Sequence, residues 1–192
     1  MSPAAVPAPS TTVPARESID PKYTWDLGSI FPGWEAWEAG FSDLERGVES
    51  YKAYEGTLAQ GPGRLLAAFR DSDTLGQLAF RVWYYPSLQY DEDQRNNAMN
   101  ARRQRVQLLI ARWRQATSWF NPELLRLPLA TVRQWMEQSP DLALYRFAIE
   151  EVFRQQEHVL DEPGERLLSL AARVTNAPNE AYWALSTSDA KF

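Results

Sequence analysis

The sequence contains no cysteine and a single histidine, and both scarcities limit the chemistry that the chain can carry. Without cysteine there is no disulfide, no thiolate metal site and no thiol nucleophile. The sequence also lacks a phosphate-binding loop, a glycine-rich dinucleotide motif, a G-x-S-x-G elbow and an H-E-x-x-H helix. No apolar run approaches the roughly 20 residues of a membrane span. These absences predict no catalytic, cofactor-binding or metal-binding residue in this chain, and no membrane partner.

Composition favours an ordinary globular domain. Of the 192 residues, 44% are hydrophobic and 23% are charged, and the net charge is −5. That negative charge argues against nucleic acid as the main partner. Residues 1–17 are rich in Pro, Ala, Ser and Thr and have no signal-peptide pattern, so they are predicted to form a disordered tail before a domain at 18–192. A chain without cysteine fits a cytoplasmic location.

Apolar residues at three- and four-residue steps predict helices through most of that domain. The clearest stripe starts at Trp34, where aromatic and aliphatic side chains follow a 3-4-3-4-3 spacing up to Tyr51. Further helices are predicted at 64–90, 94–119, 128–136, 139–155, from 161 through the apolar face Leu167, Leu168, Ala171 and Val174, and at 180–185. No segment alternates with period two. The predicted fold is therefore all-α, an antiparallel multi-helix bundle with no major sheet.

Local signals predict how several of these segments begin and end. Residues 23–31 are expected to form a short extended arm that docks Trp25 and Phe31 on the helices, with Asp26 capping a turn. A ligand-binding role for Trp25 and Asp26 is the less favoured alternative. Asp71 or Asp73 could recap the long helix, and Pro86 should kink or end it. A turn is expected at 176–179.

His158 is the first residue to consider for catalysis or metal binding. A catalytic histidine needs a nucleophile or a second base, and a zinc-binding histidine needs fellow ligands. Asp161 and Glu162 are near in sequence, but one imidazole with two carboxylates in a connecting loop is not a zinc spacing. We therefore expect a structural role, in which the imidazole bonds to the backbone at a joint between helices and Asp161 caps the next helix.

Two charged clusters have a functional and a structural interpretation. The acidic run Asp91, Glu92 and Asp93 could bind a cation or supply an acid/base pair, but a helix joint in which Asp93 caps the next helix is favoured. Between 102 and 114 the next helix carries Arg102, Arg103, Arg105, Arg112 and Arg114. These arginines predict a solvated face, or one that faces acidic residues such as Glu150 and Glu151. A basic wall beside a peptide-binding cleft is the minority interpretation.

Several ordered segments together resemble the amino-terminal region of the oligoendopeptidase F family, zinc metallopeptidases of the thimet-oligopeptidase superfamily. The resemblance covers roughly residues 23–192. The segments that carry it are Trp25-Asp26-Leu27 with Ile30-Phe31, Leu88 with Tyr90-Asp91-Glu92-Asp93, Phe120-Asn121-Pro122-Glu123-Leu124-Leu125, Tyr145-Arg146 with Ile149-Glu150, Arg154, His158-Val159-Leu160 with Glu165-Arg166-Leu167-Leu168, and Ala181-Tyr182 with Leu185 and Asp189-Ala190-Lys191-Phe192.

The resemblance implies an all-helical segment that forms one wall and the lid of a channel in which oligopeptides are cleaved. The family's zinc site, an H-E-x-x-H helix with a downstream glutamate, lies in the carboxy-terminal domain, and nothing in this chain matches it. His158 matches a family histidine that is not a zinc ligand. Pro86 departs from the family's usual unbroken helix. We therefore expect zinc in the full-length family and no catalytic zinc domain in this chain.

These expectations leave two functions from different classes. The first is a substrate-channel domain of an oligoendopeptidase, which is inactive alone. The alternative is a free-standing helical protein-interaction module without catalytic activity. If the first holds, the face that would meet the catalytic domain should be apolar and exposed, and the isolated chain should form homo-oligomers through that face.

Overall fold

The computed structural model describes residues 18–186, without the side chains of residues 173 and 184. The described residues form helices and no strand, which confirms the all-α prediction. The predicted tail at 1–17 lies outside the described residues. The helices are α1 (Trp34–Tyr51), α2 (Pro62–Glu92), α3 (Asn97–Thr117), α4 (Phe120–Leu125), α5 (Leu129–Gln138), α6 (Pro140–Ala143), α7 (Arg146–Arg154) and α8 (Glu162–Ala184).

The first three helices pack pairwise against one another and enclose most of the core. Short connections join them, so that consecutive helices run antiparallel. The stripe predicted from Trp34 onward is the buried face of α1, since Trp37 and Leu44 are fully buried. Val82 of α2 and Val106 of α3 are fully buried as well. The smaller helices α5 and α6 pack on α2, and α8 packs on α3.

The segment before α1 differs from the predicted extended arm. It forms two short 3₁₀ turns, Pro21–Tyr23 and Leu27–Ser29. The carboxylate of Asp26 accepts the amide N–H of Gly28 at 3.1 Å, which confirms the predicted cap. Phe31 is buried in the core, whereas Trp25 is 53% exposed and does not dock as predicted.

The long helix α2 continues through Pro86 to Glu92, so of the two predicted effects of Pro86, a kink or an end, the structure excludes the end. Proline has no N–H and leaves the carbonyl four residues earlier, that of Val82, without its helical donor. The indole Nε1–H of Trp37 donates to this carbonyl at 2.8 Å. A donor from α1 therefore replaces the bond that proline cannot make, which allows a buried proline inside the helix.

The same helix does not recap at Asp71 or Asp73, because both carboxylates have partners elsewhere. Tyr54 donates its hydroxyl to Asp71 at 2.6 Å, and Tyr145 donates its hydroxyl to Asp73 at 2.6 Å. Burial, followed by the hydrogen bond to Asp71, raises the pKa of Tyr54. The hydrogen bond to Asp73 is the main reason that the pKa of Tyr145 is raised.

Glu123 is a buried carboxylate whose role the sequence did not reveal. Its two oxygens accept the backbone N–H groups of Gly56 and Leu58, each at 2.7 Å. Gly56 has φ of +74°, a left-handed conformation that favours glycine. Glu123 therefore joins α4 to the turn after α1. The helix predicted over 94–119 is α3, which ends at Thr117, and Pro122 lies inside the separate helix α4.

Two predicted helix boundaries are corrected in the last third of the chain. The helix expected over 139–155 is divided into α6 and α7, with Ser139 capping α6 through the N–H of Leu142. The break follows Ala143 and contains Tyr145, whose ring stacks on Phe69 with centroids 4.6 Å apart. The turn expected at 176–179 is absent, and α8 continues through Pro178. Exposure of α8 there allows water to bond the carbonyl that proline leaves free.

Candidate interaction surface

The acidic run at the end of α2 is a helix joint, but the predicted cap is wrong. Asn96 caps α3, since its side-chain oxygen accepts the N–H of Ala98 at 3.1 Å and of Met99 at 3.3 Å. Asp93 instead binds Arg95, at 2.7 Å from the guanidinium Nε and 3.1 Å from the backbone N. This partner lowers the pKa of Asp93. Asn96 and not Asp93 is the cap because Asn96 lies directly before the first helical residue, where its side chain can reach the free N–H groups.

His158 lies on the surface between α7 and α8, at the end of a 3₁₀ turn, Gln156–His158. Its side chain is 76% exposed, and its Nε2 is 3.5 Å from a carboxylate oxygen of Glu157. The imidazole thus lies beside a carboxylate in solvent and not against the backbone as predicted. Asp161 caps α8 by accepting the N–H of Gly164 at 3.0 Å, as predicted.

Within residues 18–186, no three His, Cys, Asp or Glu side chains come together in a way that could hold a metal ion. The same residues include no helix long and apolar enough to cross a membrane.

The arginines of α3 face acidic residues of α1. Arg105 makes a two-pronged ion pair with Glu38, at 2.8 and 3.0 Å. The hydrogen bond from Arg105 lowers the pKa of Glu38. Arg112 lies 3.9 Å from Glu45. The arginines were predicted to be solvated or to face acidic residues such as Glu150 and Glu151. Arg105 and Arg112 do face acidic residues, but these belong to α1.

The acidic side chains named in that prediction pair elsewhere. Glu150 lies 3.2 Å from Arg133 and 3.7 Å from Arg146. Glu151 pairs with Arg154, which lowers the pKa of Glu151. All three ion pairs lie at the surface and contribute little to stability.

Two further arginines lie over aromatic rings. The guanidinium of Arg102 is 4.0 Å from the ring centroid of Trp34, and that of Arg103 is 4.3 Å from that of Tyr90. Such stacking is worth about 0.5–1 kcal/mol at exposed sites. The basic helix is thus tied to α1 and α2, which leaves little of its charge to form an open basic wall.

A cleft of about 470 Å³ opens between α1, α3 and the start of α8. Its apolar residues include Val48, Leu109 and Trp119. Charged side chains of both signs surround them, namely Glu45, Glu49, Lys52, Glu55, Arg112, Glu162 and Arg166. The mixture of charges gives the cleft no strong preference for an anion or a cation.

The most unusual surface is the apolar side of α8. Leu167 is 68% exposed, Val174 is 77% exposed and Tyr182 is 65% exposed. In a second exposed apolar pair, Leu144 (81%) lies in the break between α6 and α7 and Phe147 (83%) lies in the first turn of α7. Clustered exposure of large apolar side chains is typical of an interaction surface. The helix α8 therefore presents an exposed apolar face.

Comparison with known proteins finds similarity to oligopeptidases. A family model described as Oligopeptidase F matches residues 123–192. Oligopeptidase PepF of Bacillus subtilis is 28% identical over 180 residues, which are 94% of this chain and 27% of that protein. Group B oligopeptidase PepB of Streptococcus agalactiae is 28% identical over 177 residues, 92% of this chain and 30% of that protein.

Solved structures show the same fold. The crystal structure of oligoendopeptidase-F from Enterococcus faecium matches with a TM-score of 0.73 and 26% identity, over 83% of this chain and 32% of that chain. A putative peptidase from Chlamydophila abortus matches with a TM-score of 0.65 at 24% identity, over 94% of this chain and 31% of that chain. The chain spans about a third or less of the length of each of these relatives.

Proposed function

We propose that this chain, which is related to the amino-terminal region of oligoendopeptidase F peptidases, forms one wall of the channel that holds short peptides in a longer protein. The observation that carries the proposal is the match of 92–94% of the chain to 27–30% of the length of proteins named as oligopeptidases. The exposed apolar face of α8 fits a domain that packs against another part of the same protein.

The proposal assigns peptide hydrolysis to a carboxy-terminal H-E-x-x-H domain. In the resembled family that domain holds zinc, whose chemistry is to activate a water molecule. The described side chains do not fit this ion, because no three potential ligands converge and His158 has only Glu157 beside it. The contribution of the present chain is to bind and orient the peptide. The proposal includes a cytoplasmic location, which cell fractionation would test.

The test of the proposal is an assay of the purified 192-residue chain for zinc content and peptide hydrolysis. We expect no stoichiometric zinc and no cleavage of a fluorogenic oligopeptide. Cleavage that requires zinc and stops with a chelator would refute the proposal. In a longer form, a photoreactive oligopeptide should cross-link to residues of this domain, and cross-links confined to the carboxy-terminal domain would argue against a channel wall.

A second candidate function is a free-standing helical interaction module, and the exposure of Leu144 (81%) and Phe147 (83%) favours it. Each is a large apolar side chain on the surface, as in a docking site for another protein. The coding sequence downstream of the Phe192 codon separates the two functions. A reading frame that continues into an H-E-x-x-H motif would exclude the module, whereas a stop codon there would exclude the channel wall.

The isolated chain should also self-associate weakly through α8. Burial of apolar surface favours association, but a small interface holds only at high protein concentration. Sedimentation should show a monomer at micromolar concentration and a dimer toward the millimolar range. A monomer throughout that range would contradict this part of the proposal.

A further inference from the structure

The two halves of α8 have different surroundings. Partly covered positions lie between 162 and 172, where the helix packs on α3. From 174 to 185 every described side chain is exposed. An uncovered helix of this length is marginal in water, because most helix stability in proteins comes from packing of an apolar face. Among the residues that the structure describes, the second half of α8 therefore has little of the packing that would stabilise it.

Most of the exposed apolar residues of α8 form one stripe along the helix, and the exposed Leu168 and Trp183 lie outside it. At about 100° per residue, its members fall on one side of the helix. They are Leu167, Leu170, Val174, Ala181, Tyr182 and Leu185. The stripe begins in the half that packs on α3 and continues into the uncovered half. An apolar side of this kind is what a helix presents to a protein core.

The size of the stripe distinguishes two elements that could cover it, a second copy of the chain and a further segment of the same polypeptide. From Leu167 to Leu185 the helix extends about 27 Å, and a strip about 10 Å wide covers roughly 300 Å² per helix. Two copies paired through this strip would bury roughly 600 Å², well below the about 1,200 Å² of stable interfaces. A segment of the same polypeptide needs less area, because its tethering removes most of the entropic cost of association. The matched region is the amino-terminal part of the relatives, and most of their length lies beyond it.

We infer that the stripe on α8 is the docking surface for the polypeptide that comes after this region in the longer proteins, which rests on the proposed function. The second half of α8 belongs structurally to that downstream unit, while the first half belongs to the present bundle. The occupant is an apolar helix face of the downstream unit. In the isolated chain the second half is a largely exposed helix, and it opens less readily once the downstream unit folds on it.

The first experiment uses the isolated chain at a concentration at which sedimentation shows a monomer. Amide hydrogen exchange should be fast at 174–185 and at least about 100-fold slower in the buried part of α2. Val174→Asp should leave the urea midpoint unchanged, whereas Val106→Asp, at a fully buried valine of α3, should lower it sharply. Strong protection of 174–185 in the monomer, or a Val174→Asp midpoint as low as that of Val106→Asp, would overturn the inference.

The second experiment joins the chain to the remainder of Bacillus subtilis Oligopeptidase PepF in place of its matching region. Residues 174–185 should become at least about tenfold more protected, and Val174→Asp should now lower the midpoint. If exchange at 174–185 is unchanged in a fusion in which oligopeptide still cross-links to this domain, the docking inference is refuted and the channel function stands. If 174–185 becomes protected but no peptide cross-links to this domain, the channel function is refuted and the docking inference stands. A fusion that fails to fold leaves the isolated-chain result to decide.

Discussion

The bond between Trp37 and the carbonyl of Val82 offers the sharpest test of how this fold tolerates Pro86. Trp37→Phe removes the donor and leaves a buried carbonyl unpaired, which costs about 1–3 kcal/mol. The smaller ring adds a packing cost of about 1 kcal/mol. With Pro86→Ala, residue 86 regains an N–H that can bond Val82, so the same Trp37→Phe change should then cost only the packing part.

The difference between the two costs is a coupling of about 1–3 kcal/mol in favour of the native pair. Urea unfolding followed by circular dichroism in the far ultraviolet gives the free energy of unfolding for the four proteins of the cycle. Trp119→Phe is the matched control, because the indole of Trp119 donates to Ala116 and not to Val82. Its cost should be the same with and without Pro86→Ala. If Trp37→Phe lowers the free energy of unfolding equally with Pro86 and with Pro86→Ala, the hydrogen bond from Trp37 does not compensate for the carbonyl that Pro86 leaves free.

Three other changes have expected outcomes, each measured by urea or alkaline unfolding. Glu123→Gln should destabilise by about 1.5–3 kcal/mol, since a carboxylate that accepts two buried N–H groups becomes an amide that can accept through one oxygen only. No change in stability would mean that the turn does not depend on the second hydrogen bond. Gly47→Ala should destabilise by about 1–3 kcal/mol despite the better helix propensity of alanine, because a Cβ there would lie 2.2 Å from Cδ2 of Leu75. Gly63→Ala is the control and should not destabilise, because a Cβ at that position meets nothing within 4 Å. Burial raises the pKa of Tyr51. The stability that this tyrosine contributes is therefore present below the ordinary tyrosine pKa of about 10 and is lost as the pH rises further. Tyr51→Phe should make the alkaline loss of stability shallower, and an unchanged slope would assign that loss to other groups.

Helix periodicity predicted the core well, because a buried stripe leaves its spacing in the sequence. The residues from Trp34 to Tyr51 form one such face, and α1 has the predicted bounds. The resemblance to the amino-terminal region of oligoendopeptidase F is confirmed by the relatives found. Among the motif residues that carried it, Glu123 and Tyr145 make long-range contacts in the bundle, so these motif positions contribute to the fold.

Several of the errors arise from contacts between residues far apart in sequence. Asp71 and Asp73 are good capping residues, but tyrosines from distant segments bind them and the helix continues. The arginines of α3 pair with acidic residues 67 positions earlier, as in the contact of Arg105 with Glu38. No local pattern identifies such partners, because the spacing along the chain carries no information about which helix faces will meet.

The sequence alone determined the all-α class, the buried face of α1 and the lack of familiar catalytic motifs, since composition and periodicity are local properties. Only the tertiary structure decided that a tryptophan of α1 satisfies the carbonyl freed by Pro86, and that Glu123 holds a distant turn. It also decided which apolar residues lack cover. Leu167 and Val174 have the same pattern as a core stripe, and burial depends on whether another element packs there.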